Sequence, residues 1–125
     1  METIKTVNLI VKKNRYALLF KRADNDKEEP GKWGLLGGTH KEGEKFEDAL
    51  KREVREESKC EIKRLKFYKQ VKNKYTYEGV KYNVISYYYT GKLKGDIKLN
   101  EEHSEYKWIP LCCLPEMAFN QHTLL

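Results

Sequence analysis

Residues 37–60 read GGTHKEGEKFEDALKREVREESKC, and the rest of the chain is interpreted outward from this stretch. Apolar residues recur there at intervals of three and four, which predicts an amphipathic helix from Phe46 onward; they are Phe46, Ala49, Leu50 and Val54. At about 100° per residue, three acids continue the same stripe, namely Glu53, Glu56 and Glu57. One face of the predicted helix is therefore apolar at its start and acidic at its end.

This acidic stripe is unfavourable by itself. Residues three and four apart are neighbours on a helix, so the three glutamates repel one another, and the helix dipole disfavours anions near the C-terminus. A divalent cation relieves both effects, because magnesium, manganese and calcium prefer oxygen ligands. A solvated, salt-bridged helix face is the alternative interpretation of the same residues.

The spacing of these residues resembles the Nudix box. That pattern is Gly, five residues, Glu, seven residues, Arg-Glu, an apolar residue, any residue, Glu-Glu, any residue, Gly and an apolar residue. The matching residues here are Gly38, Glu44, Arg52, Glu53, Val54, Glu56, Glu57 and Cys60, with Lys59 in place of the final glycine. Residues 30–38 are similar to the family's lead-in, with Leu36 where proline is usual. The resemblance implies an α/β fold, an α/β/α sandwich around a mixed β-sheet.

The departure at Lys59 concerns the end of the helix. A glycine at this position would end the helix in the left-handed conformation, which costs a residue with a side chain about 1 kcal/mol. Either Lys59 adopts that conformation or the helix ends in another way. The three acids precede Lys59, so the change affects local geometry more than activity.

The resemblance also implies an activity, the metal-dependent hydrolysis of a diphosphate bond in a nucleoside diphosphate linked to another group. Nucleoside triphosphates, including damaged ones, are the first choice of substrate. Dinucleoside polyphosphates, nucleotide sugars and capped RNA are alternatives. A nucleotide- or RNA-binding module without turnover is an alternative from another class, and a structural domain would leave the acidic stripe unexplained.

The candidate site residues follow from the resemblance. The expected catalytic set is Arg52, Glu53, Glu56, Glu57 and Glu102. The expected ligands of Mg²⁺, or of Mn²⁺ as second choice, are the Gly37 carbonyl, Glu53, Glu56, Glu57 and Glu102. Either Glu53 or Glu102 would accept the proton of the attacking water, and Arg52 would orient the carboxylates. Glu44, which begins the helix, is expected to support the metal indirectly.

Three further residues are candidates for contact with the substrate. Arg22 ends a predicted strand and is expected to meet a phosphate, although a solvated strand end is an equal alternative. Gly38 belongs to a glycine pair that allows close backbone approach to a ligand, although a tight turn is the alternative and is favoured for the pair taken alone. Glu105 is the second choice to Glu102 in the acidic loop of residues 100–105, and a solvated loop acid is an equal alternative for each.

Composition sets the limits of this interpretation. The chain has 125 residues, 35% charged and 39% hydrophobic, which predicts one globular domain over residues 1–125. No run approaches the roughly 20 apolar residues of a membrane span, and no signal peptide is evident. Three cysteines suggest reduced thiols in a cytoplasm.

The net charge of +6 attracts polyanions, but the basic residues are spread along the chain, so RNA is not specifically indicated. A nucleotide is the expected partner, and monomer and homodimer both stay open.

The remaining elements are read from local patterns. Strands are predicted at residues 3–11, 16–22, 61–71, 80–90 and 106–109, and a short apolar segment at 33–36. Turns are predicted at 72–74 and 91–95, and a short strand at 96–99. Pro115 at a first helical position predicts a second helix over residues 115–125.

Overall fold

The computed structural model describes residues 1–24 and 31–114. In chain order the elements are β1 (Glu2–Lys13), β2 (Tyr16–Arg22), β3 (Trp33–Gly34), β4 (Leu36–Thr39), α1 (Phe46–Ser58), β5 (Glu61–Tyr77), β6 (Val80–Lys94) and β7 (His103–Pro110), followed by a 3₁₀ turn at Leu111–Cys113.

The strands form one mixed sheet organised around β1. Strand β1 pairs in parallel with β6 and antiparallel with β4, and its last residues pair antiparallel with β2. Strand β5 pairs with β6 on the side away from β1, while β2 also carries β3 and β7. The predicted α/β class with a mixed sheet is confirmed. The second predicted helix, at residues 115–125, lies outside the described residues.

Helix α1 packs on one face of this sheet through its apolar stripe. Ala49, Leu50 and Val54 are fully buried and join a cluster with residues of β1, β2, β4 and β6, including Val7, Leu9 and Leu36. A second cluster forms apart from it, from Ile10, Ala17, Leu19, Ile109 and Leu114. The helix begins at Phe46, as the apolar spacing predicts, so the expectation that Glu44 begins it is wrong and Glu44 lies in the loop before α1.

The helix ends at Lys59 in the left-handed conformation, with φ 63° and ψ 19°. The Lys59 amide donates to the carbonyl of Arg55 at 3.0 Å, which closes the last turn. A lysine therefore occupies a conformation that usually favours glycine.

The β5–β6 hairpin is longer than the sequence patterns predict. The expected turn at 72–74 is wrong, because β5 continues through it to Tyr77, and the expected turn at 91–95 is mostly wrong, because β6 continues to Lys94. The chain reverses instead at Glu78 and Gly79, both with positive φ, as in a two-residue hairpin loop. Polar side chains are tolerated in β5 because this strand has no buried residue.

The last strand also differs from its prediction. Residues 96–99 form no strand, and β7 begins at His103 rather than at residue 106 because its pairing with β2 extends to Arg22. Among the described residues there is no helix long and apolar enough to cross a membrane.

Candidate active site

Glu57 is the buried member of the acidic stripe. Its side chain accepts a hydrogen bond from the Gly37 amide at 3.0 Å, which fixes the end of α1 against β4. Burial raises the pKa of Glu57 well above its ordinary value, and the nearby Glu53 and Glu102 carboxylates raise it further. The Gly37 amide and the Arg22 guanidinium oppose this shift. A buried carboxylate in such surroundings favours a bound proton or a bound cation.

Glu53 is held by an arginine next to it in the chain. The Arg52 Nη1 atom donates to Glu53 Oε1 at 2.9 Å, and the same nitrogen lies 3.7 Å from Glu56 Oε1. The other side of the guanidinium makes two hydrogen bonds, of 2.9 and 3.1 Å, to the carboxylate of Glu44. Burial raises the pKa of Glu53, although the Arg52 hydrogen bond partly offsets this. Arg52 thus links the helix acids to the loop before α1.

The glycine pair lets β4 approach the helix closely. A Cβ atom on Gly38 would lie 2.5 Å from the Cδ atom of Glu53. A Cβ atom on Gly37, whose φ is 152°, would lie 2.0 Å from the Val7 carbonyl oxygen. Neither position has room for a side chain in the present arrangement.

The loop before β7 supplies a second acidic wall. The Asn100 side-chain amide donates to the Glu56 carbonyl at 3.0 Å, and the Glu102 amide donates to Asn100 Oδ1 at 3.0 Å. The Glu102 carbonyl accepts from the Ala23 amide at 2.9 Å. These bonds hold Glu102 beside the end of α1. Ligand atoms of Glu57, Glu102 and the buried His103 all lie within 4.8 Å of one another.

These walls enclose a cavity of about 370 Å³. Six of the predicted site residues line it: Arg22, Gly37, Gly38, Glu53, Glu57 and Glu102. Lys41 also lines the cavity, so positive and negative side chains face the same space. The remaining lining residues are Asn8, Phe20, Gly34, Leu35, Thr39 and His103.

Three predicted site residues lie outside that lining. Arg52 contacts the site only indirectly, through its hydrogen bonds to the carboxylates of Glu44 and Glu53. The Glu56 side chain is 56% exposed on α1. Glu105 is equally exposed on β7, and its carboxylate lies 4.0 Å from Lys21 Nζ.

Sequence reasoning assigned no role to Asn8, Asn100 or His103. Asn8 is buried in β1 opposite Gly37, and its position at the cavity depends on strand register. Asn100 gave no signal because its partner, Glu56, is 44 residues away. His103 could have been considered from its place next to Glu102, since histidine is a common metal ligand.

The donor set of this cavity fits a divalent cation. Two carboxylates and an imidazole converge, and the mutual repulsion of Glu57, Glu53 and Glu102 contributes to the raised pKa of Glu57. Carboxylate oxygens suit Mg²⁺, and an added imidazole nitrogen is also compatible with Mn²⁺.

Comparison with known proteins gives the family. The NUDIX domain model matches residues 3–123. Nucleoside triphosphatase NudI of Escherichia coli strain UMN026 is 35% identical over 100 residues, which cover 74% of this chain and 71% of the relative. Among solved structures, the MutT NUDIX hydrolase from Burkholderia pseudomallei has a TM-score of 0.77 at 23% identity, covering 90% of this chain and 86% of that chain. The MutT protein from Methanosarcina mazei Go1 has a TM-score of 0.75 at 27% identity, covering 99% and 86%. The chain therefore belongs to the NUDIX family and is a Nudix hydrolase.

Proposed function

We propose that this Nudix hydrolase cleaves a diphosphate bond of nucleoside triphosphates and depends on a divalent metal ion. The observation that carries the proposal is the convergence of Glu53, Glu57 and Glu102 on one cavity that Arg22 and Lys41 also line. Similarity to a relative named a nucleoside triphosphatase supports this choice of substrate. Dinucleoside polyphosphates, nucleotide sugars and capped RNA are the competing substrates.

The metal would be held by Glu57, Glu102 and His103, with Glu53 and Glu56 extending the acidic surface and the Gly37 carbonyl as a further donor. When bound, such an ion supplies positive charge to phosphate oxygens and makes a water more acidic. We favour Mg²⁺, with Mn²⁺ as the second ion, on the basis of the oxygen-rich donor set.

The other residues position the reacting groups. Arg52 fixes the Glu53 carboxylate through the 2.9 Å hydrogen bond and is itself fixed by Glu44. Arg22 and Lys41 would meet phosphate oxygens, because they are cations that line the same cavity as the three carboxylates. Gly38 lets the Glu53 carboxylate pack directly against the β4 backbone, because a Cβ atom there would lie 2.5 Å from Glu53 Cδ.

Glu53 is our choice for the base that accepts the proton of the attacking water. Burial raises its pKa, which improves a carboxylate as a proton acceptor near neutral pH. Glu102 keeps the alternative role of base, and Glu105 would act only at the periphery because it lies outside the cavity lining.

The test is product formation from a panel of nucleotides with Mg²⁺, comparing wild type with Glu53→Gln and Glu57→Gln. The panel contains canonical and oxidised nucleoside triphosphates, dinucleoside polyphosphates, nucleotide sugars and capped RNA. We expect turnover of nucleoside triphosphates, and a loss in kcat of about 10²- to 10⁴-fold in Glu53→Gln. Chromatography of the products identifies which bond is cleaved.

Glu47→Gln is the matched control, because it removes the same charge from an exposed position of the same helix. It should keep nearly all activity. If no substrate turns over while nucleotides bind equally to all variants, the chain is a binding module and the proposal is wrong. If only another substrate class is hydrolysed, the proposed substrate is wrong but the proposed active site is retained.

The choice between Glu53 and Glu102 is tested by the pH dependence of kcat at saturating metal. A rate that depends on an ionised carboxylate base rises with pH through the pKa of that base. Glu53→Gln should abolish that rise, whereas Glu102→Gln should mainly increase the metal concentration needed. The opposite pattern would assign the base to Glu102.

A further inference from the structure

The β5–β6 hairpin carries the net excess of positive charge of the whole chain. Residues 61–94 contain nine lysines and arginines and only two acids. The other 91 residues contain 16 basic and 17 acidic side chains, so the net charge of +6 arises within this hairpin. The basic residues therefore do not form the evenly charged surface that their spread along the sequence suggests.

Strand β5 presents this charge to solvent. It is 17 residues long and has no buried residue, and it lies at the end of the sheet, pairing with β6 within the described part of the chain. Six of its residues are basic: Lys63, Arg64, Lys66, Lys69, Lys72 and Lys74. Its one acid, Glu61, accepts two hydrogen bonds of 2.9 Å from Arg55 of α1. The basic charge of β5 is thus not neutralised by its own acid.

One pair in the hairpin ladder places like charges together. Lys63 lies opposite Lys92 in the ladder. Directly opposed like charges destabilise a sheet, so this pair makes no contribution to the fold that would explain it. A bound polyanion would relieve the repulsion.

Exposed aromatic rings accompany the basic residues. Tyr68 is 54% exposed at a bulge, between the Phe67 and Lys69 pairings with β6, and Lys69 Nζ lies 5.4 Å from its ring centroid. Phe67 is 51% exposed but has one partner, since it packs edge-on against Tyr89 at 5.5 Å between centroids. Tyr68 therefore offers a base the ring face opposite Lys69.

The surface fits a single strand better than a duplex or a second copy. A two-stranded ribbon can enter a major groove, but β6 is held by β1 over residues 82–91, so the hairpin is not a free ribbon. Edge-to-edge pairing of two copies would bring their lysines together, and lysines on edge strands oppose such pairing. Single-stranded binding instead combines a basic track with stacking rings, and both occur here.

We propose that the β5–β6 hairpin binds single-stranded nucleic acid, with phosphates along the basic residues of β5 and a base stacked on Tyr68. This binding is separate from hydrolysis in the cavity and does not depend on the proposed substrate.

The test uses a fluorescent single-stranded RNA of about 16 nucleotides, the upper end of the site sizes of single-strand-binding OB folds. The RNA has a 5′ hydroxyl and is titrated in EDTA, so that neither a diphosphate bond nor a metal contributes. The variant combines Lys66→Gln, Lys72→Gln and Lys74→Gln, all exposed positions. We expect at least a tenfold loss of affinity, and a slope of log K against log salt reduced by about 2, since each phosphate contact to a single strand contributes about 0.7.

The matched control combines Lys45→Gln, Lys51→Gln and Lys98→Gln, three exposed lysines outside the hairpin. It removes the same net charge and should bind RNA as wild type does. Equal losses in both triple variants would mean that only net charge matters, and would overturn the proposal. Hydrolysis of a free nucleoside triphosphate should stay within about twofold in both, which separates this inference from the catalytic one.

Tyr68→Ala tests the stacking contribution. It should weaken RNA binding by about tenfold, since stacking on an aromatic ring is lost, but leave heparin binding unchanged. If heparin or anionic lipid vesicles bind as tightly as RNA, and Tyr68→Ala has no effect on RNA, the surface is a general polyanion surface and the nucleic-acid proposal is wrong. Circular dichroism of each variant confirms that the fold is retained.

Discussion

At the scale of single residues, Gly37 is a position where the structure leaves no room for a side chain. We predict that Gly37→Ala destabilises the protein by about 3 kcal/mol or more, because the new Cβ atom would meet the Val7 carbonyl at 2.0 Å in addition to the strain of a positive φ. Gly43→Ala is the control, since Gly43 also has a positive φ but open space around it, and it should cost about 1 kcal/mol. Urea unfolding measures both; similar losses would contradict the collision.

Lys59 is the residue at which stability should increase. Its left-handed φ of 63° costs a residue with a side chain about 1 kcal/mol, so we predict that Lys59→Gly stabilises the fold by about that amount or somewhat less. Lys51→Gly, in the exposed middle of α1, should instead destabilise by about 1 kcal/mol. A loss of stability in Lys59→Gly would show that its side chain, which bonds the Glu56 carbonyl at 3.3 Å, matters more than its backbone.

At the scale of elements, α1 is both a core helix and the carrier of the acids. Leu50 is fully buried between the helix and the sheet, so Leu50→Ala should leave a cavity and cost about 2–5 kcal/mol. Lys51→Ala, one position along and exposed, should stay within about 0.5 kcal/mol. Thermal unfolding tests this; a small loss in Leu50→Ala would mean that the helix can repack.

At the scale of the whole molecule, the buried carboxylates make stability depend on pH. The folded pKa of Glu57 is raised, so between its unfolded and folded pKa values the folded state binds more protons, and stability falls as pH rises through that window. Each unit of difference corresponds to about 1.4 kcal/mol. Glu53 contributes with the same sign.

We therefore predict that, in EDTA, the melting temperature of wild type declines from acidic to neutral pH, and that Glu57→Gln declines less. Added Mg²⁺ should flatten the wild-type curve, because a cation that binds the ionised folded state stabilises it. Glu47→Gln should follow the wild type. A wild-type stability that does not change over this range would mean that Glu57 is ionised at little cost.

The predictability of the fold differed between elements. The amphipathic spacing located α1 at its observed start, and alternating apolar patterns located the cores of β1, β2 and β6. The bounds of β5, β6 and β7 were misjudged, because they depend on which strand lies alongside. Lysine and asparagine at 72–74 are typical of turns, yet pairing with β6 keeps them extended.

For the candidate site, the sequence by itself determined the helix face with Glu53, Glu56 and Glu57 and the resemblance to the Nudix box, because both depend only on short spacings within one helix. The tertiary structure decided which groups meet that face. Glu102 and His103 lie more than 40 residues from Glu57, and Asn100 joins them to the helix through one hydrogen bond. The tertiary structure also decided that β5 and β6 lie side by side, which places the excess positive charge on one hairpin. Contacts between distant residues depend on strand register and loop closure, which no local pattern contains.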